Sequence, residues 1–480
     1  MIRPSGLGLA ALAGLLSSPV HVQAQGRNAT LLGAYNPGEY TNDIWGYVDP
    51  STGKEYALLM TRTRAIVLDC SNPSAPVVRG TFSRSLSGWR ASTWRDARTF
   101  GHYMYVVTEG GGGMQIIDLA NPDSPTFVRT HTIPGRSWNN THNISIDTDA
   151  GICYVVGTSG GMHVMDLNAN PTDPTYLTTY TAEYVHDMQA QDGLAYLAEI
   201  NRQQFRVVDV SNPSNIVSLG SSFNASCHTA FPNRTGTVAV ATTENFGGGM
   251  TIYDVSNPAQ PRQLSTWATG GSVTSVHNAF ILDGVIHASY YSEGYRALDI
   301  SDPARPVQVA YYDTNASSSG FDGAWGCYPF QPSGVVYMSD QSNGLMVLDP
   351  LSRAEHYGDP VAGTGGVAPT MHTFGAPYLG NANFAVEVAD AQPLVQGLFL
   401  IGTAPLSVSF GGLTLLVDTT LGVDFPIATD AAGEARMSIA IPNSPGLLGL
   451  TLHAQCFVQD AAGPLGYATT DGLRFSVFLP

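Results

Sequence analysis

AIVLDCSNPSAP at residues 65–76 recurs as MQIIDLANPDSP (114–125), MHVMDLNANPTDP (162–174), FRVVDVSNPSNI (205–216), MTIYDVSNPAQP (250–261), YRALDISDPARP (295–306) and, degraded, LMVLDPL (345–351). Each copy is a short β-branched run ending in Asp. The aspartates, Asp69, Asp118, Asp166, Asp209, Asp254, Asp299 and Asp349, stand 43 to 50 residues apart, the length of one four-stranded propeller blade. Around this anchor the remaining strands fall into place. In the third repeat, THNISID predicts the inner strand, ICYVVGT and MHVMD the next two, and TYLTTY the outer one, each bounded by Gly, Asn, Asp or Pro. In Asp-x-Ser-Asn-Pro, the Asp and Asn side chains can bond nearby amides and Pro fixes φ, so these carboxylates read as turn formers ahead of calcium ligands.

The outer strand is missing after Asp349. ATLLGAY at residues 29–35 resembles the other outer strands and can fill that place, closing the ring and removing an exposed sheet edge. The expected fold class is therefore all-β: a seven-bladed β-propeller closed by an N-terminal strand, over residues 29–350. A Gly/Pro-rich stretch at 351–373 predicts a linker. Residues 374–480, with alternating runs LTLLVDTT, ARMSIAI and HAQCFVQD, predict a C-terminal β-sandwich-like domain.

Composition agrees with this reading. Charged residues make up 12% of the 480, against 52 Gly and 30 Pro, which favours short strands joined by tight turns. The net charge of −17, with no basic cluster, argues against a nucleic-acid partner. Residues 1–24 carry Arg3, an apolar run from Gly6 to Leu16 and the small-residue end Val22-Gln23-Ala24, the pattern of a signal peptide. The chain is expected to be secreted, cell-surface or periplasmic after cleavage, with no transmembrane span. Five cysteines are too few and too scattered for a disulfide scaffold.

NDIWGYVDPSTGKEYAL, WRDARTFGHYMYVV, THNISIDTDAGICYVVGT and FDGAWGCYPFQPSGVVYMSD resemble LVIVD-repeat proteins of the choice-of-anchor B group over roughly residues 29–350. The tail is similar to C-terminal domains of secreted planctomycete-type proteins. The resemblance implies a secreted or surface-displayed propeller whose C-terminal segment serves attachment. It implies no reaction.

Aligning the inner-strand starts DIWGY, STWRD, NTHNI, YVHDM, SCHTA, SVHNA and GAWGC puts Trp45, Trp94, His142, His186, His228, His277 and Trp325 in one ring at the channel mouth. The next position adds Arg95, Asn143, Asp187, Thr229 and Asn278. Glu109, Glu199, Glu244, Glu293 and Asp340, at or near the ends of the second strands, share that rim. Imidazole and carboxylate are the usual ligands of Zn²⁺, Fe²⁺ or Mn²⁺, so His142, His186, His228 and His277 are candidate ligands for a divalent transition metal. Polar inner-strand starts also bond neighbouring blades and channel water, so a metal site, a metal-free binding mouth and structural hydrogen bonding all fit the pattern. The alternation of strand residues leaves open whether Trp45, Trp94 and Trp325 face the channel or pack between blades.

Other signals weigh less. Gly157-Thr158-Ser159-Gly160-Gly161 fits a nucleophile elbow but falls in a predicted hairpin, equivalent to the glycine run 110–113. Cys227 beside His228 points to the opposite face of a strand and reads as structural. The functional expectation is a module binding a protein, glycan or small molecule at the rim, with the C-terminal domain for surface attachment. A metal-dependent hydrolase or lyase using the same rim and a structural envelope or matrix protein are the alternatives.

Overall fold

The computed structural model describes residues 26–83, 90–135, 141–315 and 319–480. The expected signal peptide lies outside the described residues. Among the described residues of 26–350 the strands form seven antiparallel sheets, six of four strands and one of five. Their innermost strands are Thr41–Val48, Arg95–Phe100, Asn143–Asp147, Asp187–Gln191, Cys227–Pro232, Ala279–Leu282 and Ala324–Tyr328. Each touches the next, and the last touches the first, so the sheets stand in a closed ring around a channel.

The period of two builds this ring. Along Glu55–Thr61, Tyr56, Leu58 and Met60 pack against the second sheet through Ala97, Met104 and Val106. The alternate Ala57 and Leu59 pack against the seventh through Tyr337, Leu345 and Val347. A strand covered on both faces must be apolar at every position, and all seven residues of this one are buried.

The repeated aspartates shape the turns. Oδ1 of Asp69, Asp118, Asp166, Asp209, Asp254 and Asp299 each accepts the amide of the residue two positions on, at 2.7 to 3.1 Å. The Asx turn so made presses against the outer strand of the preceding sheet. A Cβ at Gly80 would meet Pro125 at 2.4 Å, and one at Gly220 would meet Ala259 O at 2.5 Å. Gly33, in the N-terminal strand Ala29–Tyr35, meets Pro73 O in the same way at 2.3 Å. That strand pairs antiparallel with Gly344–Pro350, Leu31 opposite Leu348, and so takes the outer place in the seventh sheet.

Residues 355–476 add a six-stranded sheet, a three-stranded sheet and a hairpin. Met371, Val386 and Val388 of the three-stranded sheet share one core with Phe399, Ala454, Val458 and Phe475 of the six-stranded sheet. The stretch 351–373, expected as a linker, carries strands of its own. Glu355–Tyr357 pairs with residues 472–474, and Thr370–Phe374 pairs with Ala385–Ala389. The first of these partners lies more than a hundred residues away, beyond the reach of any local pattern.

This C-terminal part is fastened to the ring through a repeat aspartate. Asp299 Oδ2 accepts the Ala376 amide at 2.5 Å and Asn381 Nδ2 at 3.3 Å, while its Oδ1 holds Ser301. Arg234 reaches Glu434 at 2.7 Å across the same junction. Asp299→Ala strands a buried amide and a buried carboxamide, so a loss of about 2–3 kcal/mol is expected in chemical denaturation. Burial holds the Asp299 carboxyl above its ordinary value although four hydrogen bonds pull it down. The folded chain therefore keeps a proton that the unfolded chain releases. Stability contributed here is full below the ordinary carboxylate range and falls as pH rises toward the folded value. The variant is expected to flatten the profile just above the ordinary carboxylate range, measured by denaturation at stepped pH.

Candidate functional site

At four inner-strand starts one residue caps its own strand. Asp43, Asp96, Asn143 and Asp187 each accept the amide of the residue that follows, at 2.7 to 2.8 Å. This shared bond sets the register, and ladder pairing agrees, with Asp96 opposite Val107, Asn143 opposite Val156 and Asp187 opposite Ala198. The mouth position one residue earlier is then occupied by Asn42, Arg95, His142 and His186, continuing through His228, His277 and Trp325.

Two tryptophans leave the expected ring. Trp45 sits three residues deeper, against Tyr328 at 4.8 Å and Phe280 and Phe330 at 6.3 Å. Its strand is bulged between Thr41 and Ile44, and alignment on the indole is displaced by the offset. Trp94 precedes the mouth position by one residue and lies 44% exposed at the rim. Trp325 keeps its place.

The remaining rings form an arc. Centroids of His142 and His186 are 4.2 Å apart, His186 and His228 4.4 Å, His228 and His277 4.3 Å, His277 and Trp325 4.4 Å. Each imidazole leans on the next, and three of them bond to the following strand. His186 Nδ1 meets His228 O at 3.1 Å, His228 Nδ1 meets His277 O at 3.2 Å, and His277 Nδ1 meets Trp325 O at 2.6 Å. A carbonyl only accepts, so each of these Nδ1 atoms carries its proton. His142 Nδ1 likewise meets the Glu109 carboxylate at 2.7 Å. With Nδ1 committed in all four, a neutral ring presents Nε2 as an unprotonated lone pair. Burial, with the neighbouring imidazoles, holds His186 and His277 well below the ordinary histidine range and lowers His228, so these rings are neutral at physiological pH. The glycine at 157 makes room for this packing, because a Cβ there would stand 2.1 Å from that of His142.

Of the five expected carboxylates, two join the arc. Glu109 holds His142, and Glu244 Oε2 stands 3.5 Å from His228 Nε2 while its other oxygen accepts the Tyr291 hydroxyl. Glu199 is fully buried and paired with Arg206 at 2.7 Å. Glu293 is paired with Arg296, and Asp340 accepts Thr314 Oγ1 and two turn amides. Their partners sit on their own sheet or an adjoining loop and turn them from the mouth. Thr229 and Asn278 stay at the expected level, each with its amide bonded to a neighbouring hydroxyl.

Beneath the arc lies a charged group that alignment on Trp and His concealed. Arg98 bonds Asp96 at 2.7 Å, stacks over Trp45 at 4.0 Å and feels Asp43 and Asp187. Burial, together with Asp96, pushes the Asp43 carboxyl well up, and burial pushes Asp187 up to about 7. The void among Asp43, Asp96, His142, His228 and His277 is narrow, about 20 Å³. That is room for roughly one water-sized species. Below it Phe231, Phe280 and Phe330 close the channel, with centroids 5.0 to 5.8 Å apart. A larger cavity of about 640 Å³ lies beyond this plug, between the ring and the C-terminal sheets, and shares no residue with the arc. Cys227 is buried and its thiol is pushed up by burial, which suits packing and not nucleophilic attack.

Comparison with known proteins fits the architecture. The LVIVD repeat model matches residues 65–83, 95–132, 184–223, 245–269 and 294–314. The solved structure of U3-55K superposes with a TM-score of 0.50 at 9% identity, covering 67% of this chain and 98% of that one. The RRP9 WD40 repeats superpose with the same score and identity, over 68% and 99%. At that identity the likeness is one of fold alone. No curated protein matches the chain. Among the described residues, no helix is long and apolar enough to cross a membrane.

Proposed function

From a chain that carries LVIVD repeats on a β-propeller fold, we propose a secreted or surface-associated binding module: a seven-bladed ring, closed by its N-terminal strand, that takes its ligand at the mouth. A C-terminal β-sandwich completes the molecule and serves attachment. Repeat propellers are typically interaction modules, and the signal-peptide pattern and acidic surface suit an exported one.

The observation that carries the reading is the aromatic collar at the mouth. Phe246 and Phe321 come from separate loops, meet with centroids 4.7 Å apart and remain 61% and 39% exposed. Phe321 also meets Tyr291 at 5.2 Å, which links the collar to the arc, and Trp94 adds an exposed indole on the same rim. Exposed aromatics around a recessed polar centre are the usual composition of a binding hot spot. Large rigid rings left in water cost solvation that only a bound partner recovers.

Soluble oligosaccharide and peptide panels, read through the fluorescence of Trp94 and Trp325, test this. A ligand that binds the native chain is expected to bind at least tenfold more weakly to the Phe246→Ala, Phe321→Ala variant. Undiminished binding would move the site away from the mouth.

A further inference from the structure

We infer that the mouth is also a metal site, in which the Nε2 atoms of His142, His186 and His228 hold one divalent transition ion. The inference shares the rim with the proposed function but not its evidence, which lies in the collar. Three observations carry it.

The three side chains offer donor atoms within 4.8 Å of one another, although they come from three different sheets and lie some forty residues apart in sequence. A zinc–nitrogen bond of about 2.0–2.1 Å sets ligand nitrogens roughly 3.4 Å apart around one ion, a spacing that small ring rotations reach.

Every Nδ1 in the trio is already spoken for. His186 and His228 donate to backbone carbonyls, and His142 donates to the Glu109 carboxylate. That outer bond fixes the tautomer and orients the ring, and a carboxylate behind a ligating histidine makes it a stronger donor. Beyond tying adjacent strands, each of the three also brings a ring nitrogen within 4.8 Å of the other two.

His142 and His228 border a void of about 20 Å³, room for roughly one ion-sized or water-sized species. Asn278 Oδ1, which also lines it, is buried with no protein partner among the described residues. Imidazole donors suit Zn²⁺, Ni²⁺, Cu²⁺ or Fe²⁺ and disfavour Ca²⁺ and Mg²⁺, which take oxygen. Three protein ligands leave one position of a tetrahedral ion open toward the mouth, where Glu244 stands beside His228.

His228, Glu244 and His277 form a second trio of the same reach. It shares His228 Nε2 with the first, so one ion excludes the other arrangement. Glu244 is already engaged by the Tyr291 hydroxyl, whereas the first trio draws on imidazoles alone.

The test uses the full chain, stripped with a chelator and titrated with Zn²⁺ against a chromophoric competitor, with Co²⁺ as the spectroscopic probe. One equivalent of Zn²⁺ and a visible Co²⁺ band of four-coordinate intensity are expected. His142→Ala and His186→Ala are expected to weaken Zn²⁺ at least about 100-fold, and Glu244→Gln less than tenfold. His142 lies at the partly exposed end of the arc, so its variant keeps the test valid should His186→Ala fail to fold. Binding of less than a tenth of an equivalent, or unchanged affinity in His142→Ala, would overturn the inference. Loss in Glu244→Gln but not in His142→Ala would place the ion on the second trio and overturn the assignment made here. The Phe246→Ala, Phe321→Ala variant is expected to keep its Zn²⁺, so failure of the metal reading and failure of the rim reading remain distinguishable.

Discussion

Deleting residues 26–35 is expected to abolish cooperative folding of the ring. The segment supplies the outer strand of the seventh sheet, with six residues in register from Ala29 opposite Pro350 to Tyr35 opposite Leu345. Asn28, also within it, bonds Val309 O at 2.8 Å and Leu479 O at 2.6 Å, tying the sixth sheet to the C-terminus. At about 1 kcal/mol net for each ladder bond, with the partial burial of Leu31 and Leu32 added, the loss exceeds about 5 kcal/mol. That is comparable to the whole stability of many domains. The deletion also bares Gly344–Pro350 as an unpaired edge, which invites association with other chains. Thermal melting followed by size-exclusion chromatography is expected to show a broad early transition and high-molecular-weight material. The synthetic peptide 26–35 added during refolding should restore part of the native signal. A melting temperature unchanged by the deletion would mean that the ring holds without its closing strand.

Arg98→Met is expected to cost about 3–5 kcal/mol, although the replacement matches much of the side-chain volume. The guanidinium is buried, bonded to Asp96, within the field of Asp43 and Asp187, and stacked on Trp45. Taking it away leaves three carboxyl groups in a closed channel with no countercharge. Removing one partner of a buried ionic group is costly because the others remain desolvated and unpaired. The measurement is a double-mutant cycle in urea with Asp96→Asn. The double variant is expected to be more stable than Arg98→Met alone, since it removes part of the repulsion that the single change exposes. Additive losses would show that Arg98 acts through packing on Trp45 alone.

Much of the fold is legible in the repeats. The spacing of Asp69, Asp118, Asp166, Asp209, Asp254 and Asp299 marks the sheets, and each carboxylate makes the turn its neighbours imply. ATLLGAY reads as an outer strand because it looks like one, down to the glycine that admits the next turn. The site is legible only in part. His142, His186, His228 and His277 share one position, and alignment finds them. Trp45 is misplaced because an indole in a bulged strand mimics the pattern while standing three residues deeper. Asp43, Asp96 and Arg98 do not stand out in the sequence for the same reason, since the residue that sets the register is the capping Asp or Asn and not the aromatic one. Glu199, Glu293 and Asp340 have the right sequence positions, but the side chains turn toward partners that no alignment names.

What the sequence alone determined is the repeat: its period, its strands, its turns and the place left for the first strand, all set by contacts within some fifty residues. What only the tertiary structure decided is which side chains meet at the channel. Four imidazoles, one from each of four consecutive sheets, become an arc of tilted rings with every Nδ1 committed, a carboxyl cluster gathers around Arg98, and the stretch 351–373 joins sheets formed with distant residues. A strand pattern fixes which face a residue points to within its own sheet. The rotation of one sheet against the next, set by packing along the whole ring, fixes whom it meets there.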